Sequence, residues 1–308
     1  MPVIFKNPRL TDYFLEAAGV TAATPADRIA PIVEPYETGR VIALPGLKFE
    51  IDHDFWAALP SEGHPRLKKL SSSPGMDDLE QDPLLDRRLR DARLPDELAG
   101  RLKQEILSLY AQVLPVYEAL FSGYRFVRRQ VVWRLNTIRN ENMHLDTYQT
   151  DFEEHFARLF INLDCEPRIW MTSWSMDELF ERFAPRLPRE VLERTPAAEL
   201  RAQLNAMAFG GRSAVWWDAE PRHVVHFEPG EVWAVDSRQV AHQIFYGRRA
   251  VSFDFFVDAA SMRKPGRHYL ARAEALRGRA LAARDEEAPA VSGEGFMVEL
   301  SGVEPLTS

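Results

Sequence analysis

The sequence predicts a mainly β fold with helical additions (α+β), built around a barrel or jelly roll. After residue 123, short segments rich in β-branched and aromatic residues follow one another, separated by turns such as Pro229-Gly230. Many short strands in series are typical of barrels and jelly rolls. The strand candidates are 124–137, Ala157–Leu163, Arg168–Trp174, Ser213–Trp217, His223–Phe227, Val232–Val235, Val240–Phe245 and Ala250–Val257.

Two regions of helical periodicity accompany these strands. Residues 94–122 place apolar side chains from Leu98 to Leu120 at spacings of three and four, which predicts a long amphipathic support helix with a bend or break at Pro115. Residues 175–207 have a charged, leucine-spaced pattern interrupted by prolines, which predicts short helices inserted between strands. We interpret this insertion as a candidate lid at the mouth of the site.

The 308 residues are expected to form a single catalytic domain. Residues 1–93 are mixed in character and punctuated by prolines, so we expect them to wrap the core formed by residues 123–258. Residues 259–308 are expected to add a helix and a loosely docked tail.

Composition narrows the classes of function. The net charge of −8 argues against a protein that binds nucleic acid by neutralising phosphates. No apolar run reaches the roughly 20 residues of a membrane-spanning helix. The amino terminus lacks the layout of a secretory signal, and the one cysteine, Cys165, cannot form an internal disulfide. These features predict a cytoplasmic protein.

Three residues form a candidate metal site. His144 and Asp146 are two residues apart in an extended segment, so their side chains point to the same face. His242 lies in a later strand candidate and is the predicted third ligand. Two histidines and one carboxylate on one face of Fe(II) leave open positions for a chelating keto acid and O₂. The alternative reading of His144 and Asp146 alone is a surface hydrogen-bonded pair.

A chelated keto acid needs a cation at its far carboxylate, and an arginine fork supplies one with defined geometry. We select Arg249, which follows the turn after His242 and shares strand parity with Val251 and Phe253. The alternatives are Arg248 and a pair of solvated arginines at a hairpin tip. Further candidates for the keto acid or the substrate are Arg134, Asn136 and Arg158.

Together, the His-x-Asp motif, the later histidine and the following Gly-x-Arg resemble the Fe(II)/2-oxoglutarate oxygenase superfamily over about residues 120–260. This resemblance implies a double-stranded β-helix (cupin-like) core, with Fe(II), 2-oxoglutarate and O₂ as the reactants besides the substrate. Within the superfamily, the chain is similar to the bacterial Kdo hydroxylases, which share an R-x-F-x-N segment and a PR-x-W segment. The matching residues here are His144, Asp146, Arg158, Phe160, Asn162, Pro167, Arg168 and Trp170.

The resemblance to that family implies hydroxylation at the 3-position of Kdo, an acidic sugar of the lipid A inner core, on the cytoplasmic side of the membrane. It implies a substrate site that includes Arg158, Asn162, Arg168 and Trp170, with Arg158 or Arg168 at the sugar carboxylate. A lipid-linked substrate also suggests peripheral membrane contact through the basic segment Arg263–Arg284.

Two other functions are compatible with the sequence. The same chemistry on a free amino acid or a natural-product intermediate would require activity on small soluble acids. A cupin-like binding protein without catalysis would lack bound iron after anaerobic purification.

Overall fold

Two β sheets form the centre of the computed structural model, which describes residues 1–60, 67, 70–72, 83–135, 142–147, 153–210 and 220–287. The strands in chain order are β1 (Val3–Phe5), β2 (Phe14–Glu16), β3 (Val41–Ala43), β4 (Leu70–Ser72), β5 (Phe126–Arg128), β6 (Val131–Arg134), β7 (His155–Asn162), β8 (Arg168–Ser175), β9 (His223–Phe227), β10 (Val232–Ala234), β11 (Val240–Tyr246) and β12 (Ala250–Val257). The helices are α1 (Ala26–Tyr36), α2 (His53–Ala58), α3 (Pro83–Asp91), α4 (Asp96–Leu120), α5 (Met176–Phe183), α6 (Arg189–Arg194), α7 (Ala197–Phe209) and α8 (Tyr269–Glu287). The prediction of a mainly β fold with helical additions is confirmed.

The smaller sheet has four strands in the order β1-β9-β8-β11, all paired antiparallel. The larger sheet has the order β2-β3-β10-β7-β12-β6-β4, and β5 pairs with β12 beyond that path. In the larger sheet β2 and β3 are parallel, and the other pairs are antiparallel. The first 93 residues, expected to wrap the core, therefore contribute strands to both sheets.

Aromatic side chains join the inner faces of the two sheets. Phe227 of the smaller sheet stacks on Trp233 of the larger sheet, with ring centroids 3.9 Å apart. Phe160 and Trp170 extend the same cluster, one from each sheet. Phe160, Trp170 and Trp233 of this cluster also line a cavity.

The outer face of the larger sheet packs against helices. Phe253 and Phe255 of β12 contact Tyr110 and Tyr117 of α4. This burial holds α4 as one helix from Asp96 to Leu120, so the helix does not break at Pro115. Burial of the apolar face stabilises the helix by more than the loss of the one backbone hydrogen bond that Pro115 cannot donate.

Other predicted elements differ in extent. The strand expected over 124–137 is divided into β5 and β6. The strand expected over Ser213–Trp217 lies outside the described residues, as do residues 288–308 of the tail. None of the described helices is long and apolar enough to cross a membrane.

Arg249 has a structural role that the sequence analysis did not predict. Its Nε donates to the carbonyl of Trp56 at 2.8 Å, and its Nη atoms donate to the carbonyls of Leu59 and Leu135. The side chain is fully buried. Because side chains alternate along a strand, the parity that Arg249 shares with Val251 points it toward the helices, whereas Ala250 lines the cavity. These contacts favour a structural role for Arg249 over the predicted role as keto-acid anchor.

Replacing Arg249 tests this structural role. Arg249→Met should lower the free energy of unfolding by about 3 kcal/mol, because it leaves several buried carbonyls without donors. Arg194→Met is the matched control. Arg194 is exposed and pairs with the exposed Glu190 one helical turn away, so its loss should leave the urea midpoint almost unchanged. Equal urea midpoints for the two variants would contradict the role assigned to Arg249.

Candidate active site

A short backbone pairing brings the three predicted ligands together. The His144 N–H donates to the His242 carbonyl at 3.0 Å, and the His242 N–H donates to the His144 carbonyl at 2.8 Å. Residues directly opposite in an antiparallel pair project to the same face. The two imidazole rings therefore lie side by side, with centroids 4.7 Å apart. Asp146, two residues further along, projects to the same face.

The donor atoms of these residues fit a metal ion. One ligand atom from each of His144, Asp146 and His242 lies within 4.8 Å of the other two. The Nδ1 atom of His144 is 2.6 Å from the Asn142 carbonyl, and that of His242 is 3.3 Å from the Val240 carbonyl. A carbonyl only accepts hydrogen bonds, so each Nδ1 carries the proton and each Nε2 keeps its lone pair for coordination.

The second oxygen of Asp146 is fully engaged by neighbours. Oδ2 accepts hydrogen bonds from Arg158 Nη1 and from Ser237 Oγ, both at 2.5 Å. Burial alone would raise the pKa of Asp146, but Arg158, together with the two histidines, holds this pKa well below its ordinary value. Asp146 is therefore a carboxylate with Oδ1 directed toward His144 Nε2, 3.5 Å away.

Arg158 is placed by a second carboxylate. Its Nε donates to Asp254 Oδ1 at 2.8 Å, and its side chain is almost fully buried. Arg158 thus lies between Asp146 and Asp254 at the wall of the cavity, and it donates to both carboxylates. Ser237 and Asp254 were not predicted from the sequence, since neither belongs to a local motif.

His242 is kept neutral by its surroundings. Burial, together with the adjacent His144, lowers the pKa of His242 to about 4. A histidine binds metal in its neutral form, so this environment favours coordination near neutral pH.

A cavity of about 240 Å³ opens in front of the three ligands. It combines cationic and aromatic walls. Its lining residues outside the ligand set are Arg134, Arg158, Phe160, Arg168, Trp170, Trp233, Ile244 and Ala250. Cationic groups beside aromatic walls suit a small substrate with negatively charged groups.

Two of these arginines are oriented by backbone or hydroxyl acceptors. Arg134 Nη1 donates to Ser252 Oγ at 2.6 Å. Arg168 Nη1 donates to the Gly247 carbonyl at 3.2 Å. Gly247 is required there, because it has φ +138 and a Cβ would lie 2.7 Å from Arg168 Cγ.

The remaining predicted site residues have different positions. Trp170 lines the cavity with its ring centroid 5.1 Å from that of His242. Asn162 donates to the carbonyls of Glu166 and Phe227, and Arg248 pairs with Asp164 at 2.8 Å. Neither Asn162 nor Arg248 is among the cavity residues. Asn136 lies outside the described residues.

Solved structures share this fold. An apo structure described as the Kdo hydroxylase KdoO, a non-heme Fe(II) alphaketoglutarate dependent dioxygenase, has a TM-score of 0.63 and 15% identity, covering 88% of this chain and 98% of that chain. A structure of KdoO in complex with alphaketoglutarate and Fe(III) has a TM-score of 0.62 and 15% identity, covering 87% and 96%. One in complex with cobalt(II) has a TM-score of 0.63 and 15% identity, covering 92% and 99%.

Sequence comparison addresses the family directly. A search of curated proteins gives no significant match. The family described as 3-deoxy-D-manno-oct-2-ulosonic acid (Kdo) hydroxylase matches residues 20–280, which is most of the chain. This match confirms the resemblance inferred from the motifs, and the chain belongs to the Kdo hydroxylase family.

Proposed function

We propose that this protein is an Fe(II)- and 2-oxoglutarate-dependent dioxygenase that hydroxylates the 3-position of Kdo in the lipid A inner core. The observation that carries the proposal is the ligand set His144, Asp146 and His242, which faces a cavity lined by arginines. Membership of the Kdo hydroxylase family supports the substrate. Bound at these ligands, Fe(II) with 2-oxoglutarate supplies the O₂-dependent C–H hydroxylation of this class.

The residues of the chain supply orientation and exclusion of water. Arg158 keeps Asp146 ionised and occupies its second oxygen, so that one oxygen is left for the metal. Trp170 and Trp233 form apolar walls beside the ligands. Removal of water from such a site strengthens the attraction between the arginines and anionic groups.

We propose that Arg134 and Arg168 each bind one of the two acidic molecules, 2-oxoglutarate and Kdo. We assign the far carboxylate of 2-oxoglutarate to Arg134, which Ser252 orients from the strand that follows the His242 strand. We assign the Kdo carboxylate to Arg168, which is fixed at the Gly247 turn. An arginine suits both tasks because its planar fork matches a carboxylate.

A cytoplasmic location follows from a Kdo substrate that is modified before export. We do not propose the membrane contact predicted for the segment Arg263–Arg284, because three arginines of α8 bond within the protein. Arg272 pairs with Asp177, Arg277 donates to the Thr195 carbonyl, and Arg284 donates to carbonyls of the 184–187 segment. We therefore propose the cytoplasmic location without a membrane role for these arginines.

Anaerobic titration of Fe(II) and 2-oxoglutarate tests the cofactor site. The wild-type protein should develop the visible metal-to-ligand charge-transfer band, and His242→Ala should lose it because a ligand is missing. His226→Ala is the matched control, since His226 lies in the same sheet outside the ligand set, and it should keep the band. A wild-type protein that binds no iron and shows no band would refute the oxygenase function.

Paired arginine variants test the assignment of the two acids. Arg134→Met should raise the dissociation constant for 2-oxoglutarate at least about tenfold, as expected for the loss of a charged hydrogen bond. Arg168→Met should instead raise the KM for a Kdo–lipid A precursor by a similar factor. The dissociation constant is measured by titrating 2-oxoglutarate and following the charge-transfer band without substrate. The KM is measured from the rate of succinate formation with substrate. The reverse pattern would exchange the two roles, and no change in either variant would reject both.

A further inference from the structure

The metal-binding segment is held from two sides. The N–H groups of His144 and Asp146 donate to backbone carbonyls of His242 and Ser237, each at 3.0 Å. Peptide groups alternate in direction along an extended chain, so the N–H of Leu145 points away from these partners. It donates to the side-chain oxygen Oδ1 of Asn205 at 2.7 Å. Asn205 of α7 therefore accepts the one remaining backbone N–H of the segment from His144 to Asp146, although it lies 60 residues after Leu145 in the chain.

A second residue of α7 reaches the same region. Arg201 lies one turn before Asn205, on the same face of the helix. Its Nη2 donates to the carbonyl of Asp146 at 3.2 Å and to that of Arg238 at 2.8 Å. Arg201 is buried, and its guanidinium lies 4.6 Å from the ring centroid of Tyr269 in α8. Arg201 thus links the segment that carries two ligands to the loop before the His242 strand.

Apolar packing reinforces these hydrogen bonds. Leu145 is 1% exposed and belongs to a buried cluster with residues of α5, α7 and α8. Leu200 and Leu204 of α7 are fully buried in that cluster. The side chain between the two ligands is therefore buried against the insertion, while the ligands themselves face the cavity.

We propose that α7 is a positioning element for the metal centre, with Asn205 as its principal residue and Arg201 as its support. The inference rests on the proposed function, because it assumes a metal at His144 and Asp146. The contacts of Asn205 fix the backbone between these ligands, and a ligand set must be held to within about half an ångström. The sequence analysis predicted a lid for this insertion, but these contacts are those of a support beneath the ligands.

The variant Asn205→Leu removes the acceptor and keeps a side chain of similar size. Its affinity for Co(II), titrated anaerobically without 2-oxoglutarate, should fall about tenfold, which is typical for loss of a group that orients a metal ligand. Amide hydrogen exchange in the peptide containing Leu145 should also become faster in the metal-free protein. Asn205→Asp retains an acceptor oxygen and should restore most of the Co(II) affinity. Asn205→Ala removes the same acceptor and carries the same prediction, should the leucine variant fail to fold.

Gln203→Leu is the matched control, since Gln203 lies on the exposed face of α7. It should retain wild-type Co(II) affinity and amide exchange. Equal Co(II) affinity in wild type, Asn205→Leu and Gln203→Leu would overturn the positioning role and leave the metal site intact. Failure of the wild-type protein to bind Co(II) would instead count against the proposed function, whatever the variants show.

Discussion

The site depends on the two hydrogen bonds between the backbones of His144 and His242. This pairing places both imidazoles on one face. Asp146 projects to the same face, because it lies two residues beyond His144 in extended chain. A backbone pairing is an effective way to set ligand spacing, because its geometry does not depend on side-chain rotamers. The neighbouring carbonyls of Asn142 and Val240 then select the tautomer of each histidine, so the same backbone fixes both the position and the protonation of the ligands.

Strand alternation also determines which arginines serve the cavity. Arg249 and Ala250 are adjacent in sequence and lie on opposite faces of one sheet. Arg249 lies on the face of the sheet that the helices cover. Burial there lowers the pKa of Arg249, and backbone carbonyls accept its hydrogen bonds. The cavity face receives Arg134 from the neighbouring strand instead. Shifting the register of β12 by one residue would exchange these environments, so the register of this strand is a condition of function.

The candidate metal ligands could be brought together from the sequence because a local motif and strand parity determine most of their geometry. The arginines could not be assigned in this way. Parity groups Arg249 with Val251, but it does not reveal that α4 covers this face of the sheet. The roles of Asn205 and Ser237 arise from tertiary contacts across 60 and 91 residues, and no periodic signal marks them. The sequence thus predicted the chemistry and the class of fold, while the supporting contacts required the structure.

The buried position of Arg158 constrains how the site recognises its acids. A guanidinium between two carboxylates offsets much of the cost of burying all three charges, whereas removing any one of them would leave an uncompensated charge. Arg158 is therefore held in the structure by Asp146 and Asp254. We therefore propose Arg134 and Arg168 for the recognition of 2-oxoglutarate and of a sugar carboxylate, since both line the cavity and donate to the Ser252 hydroxyl and the Gly247 carbonyl.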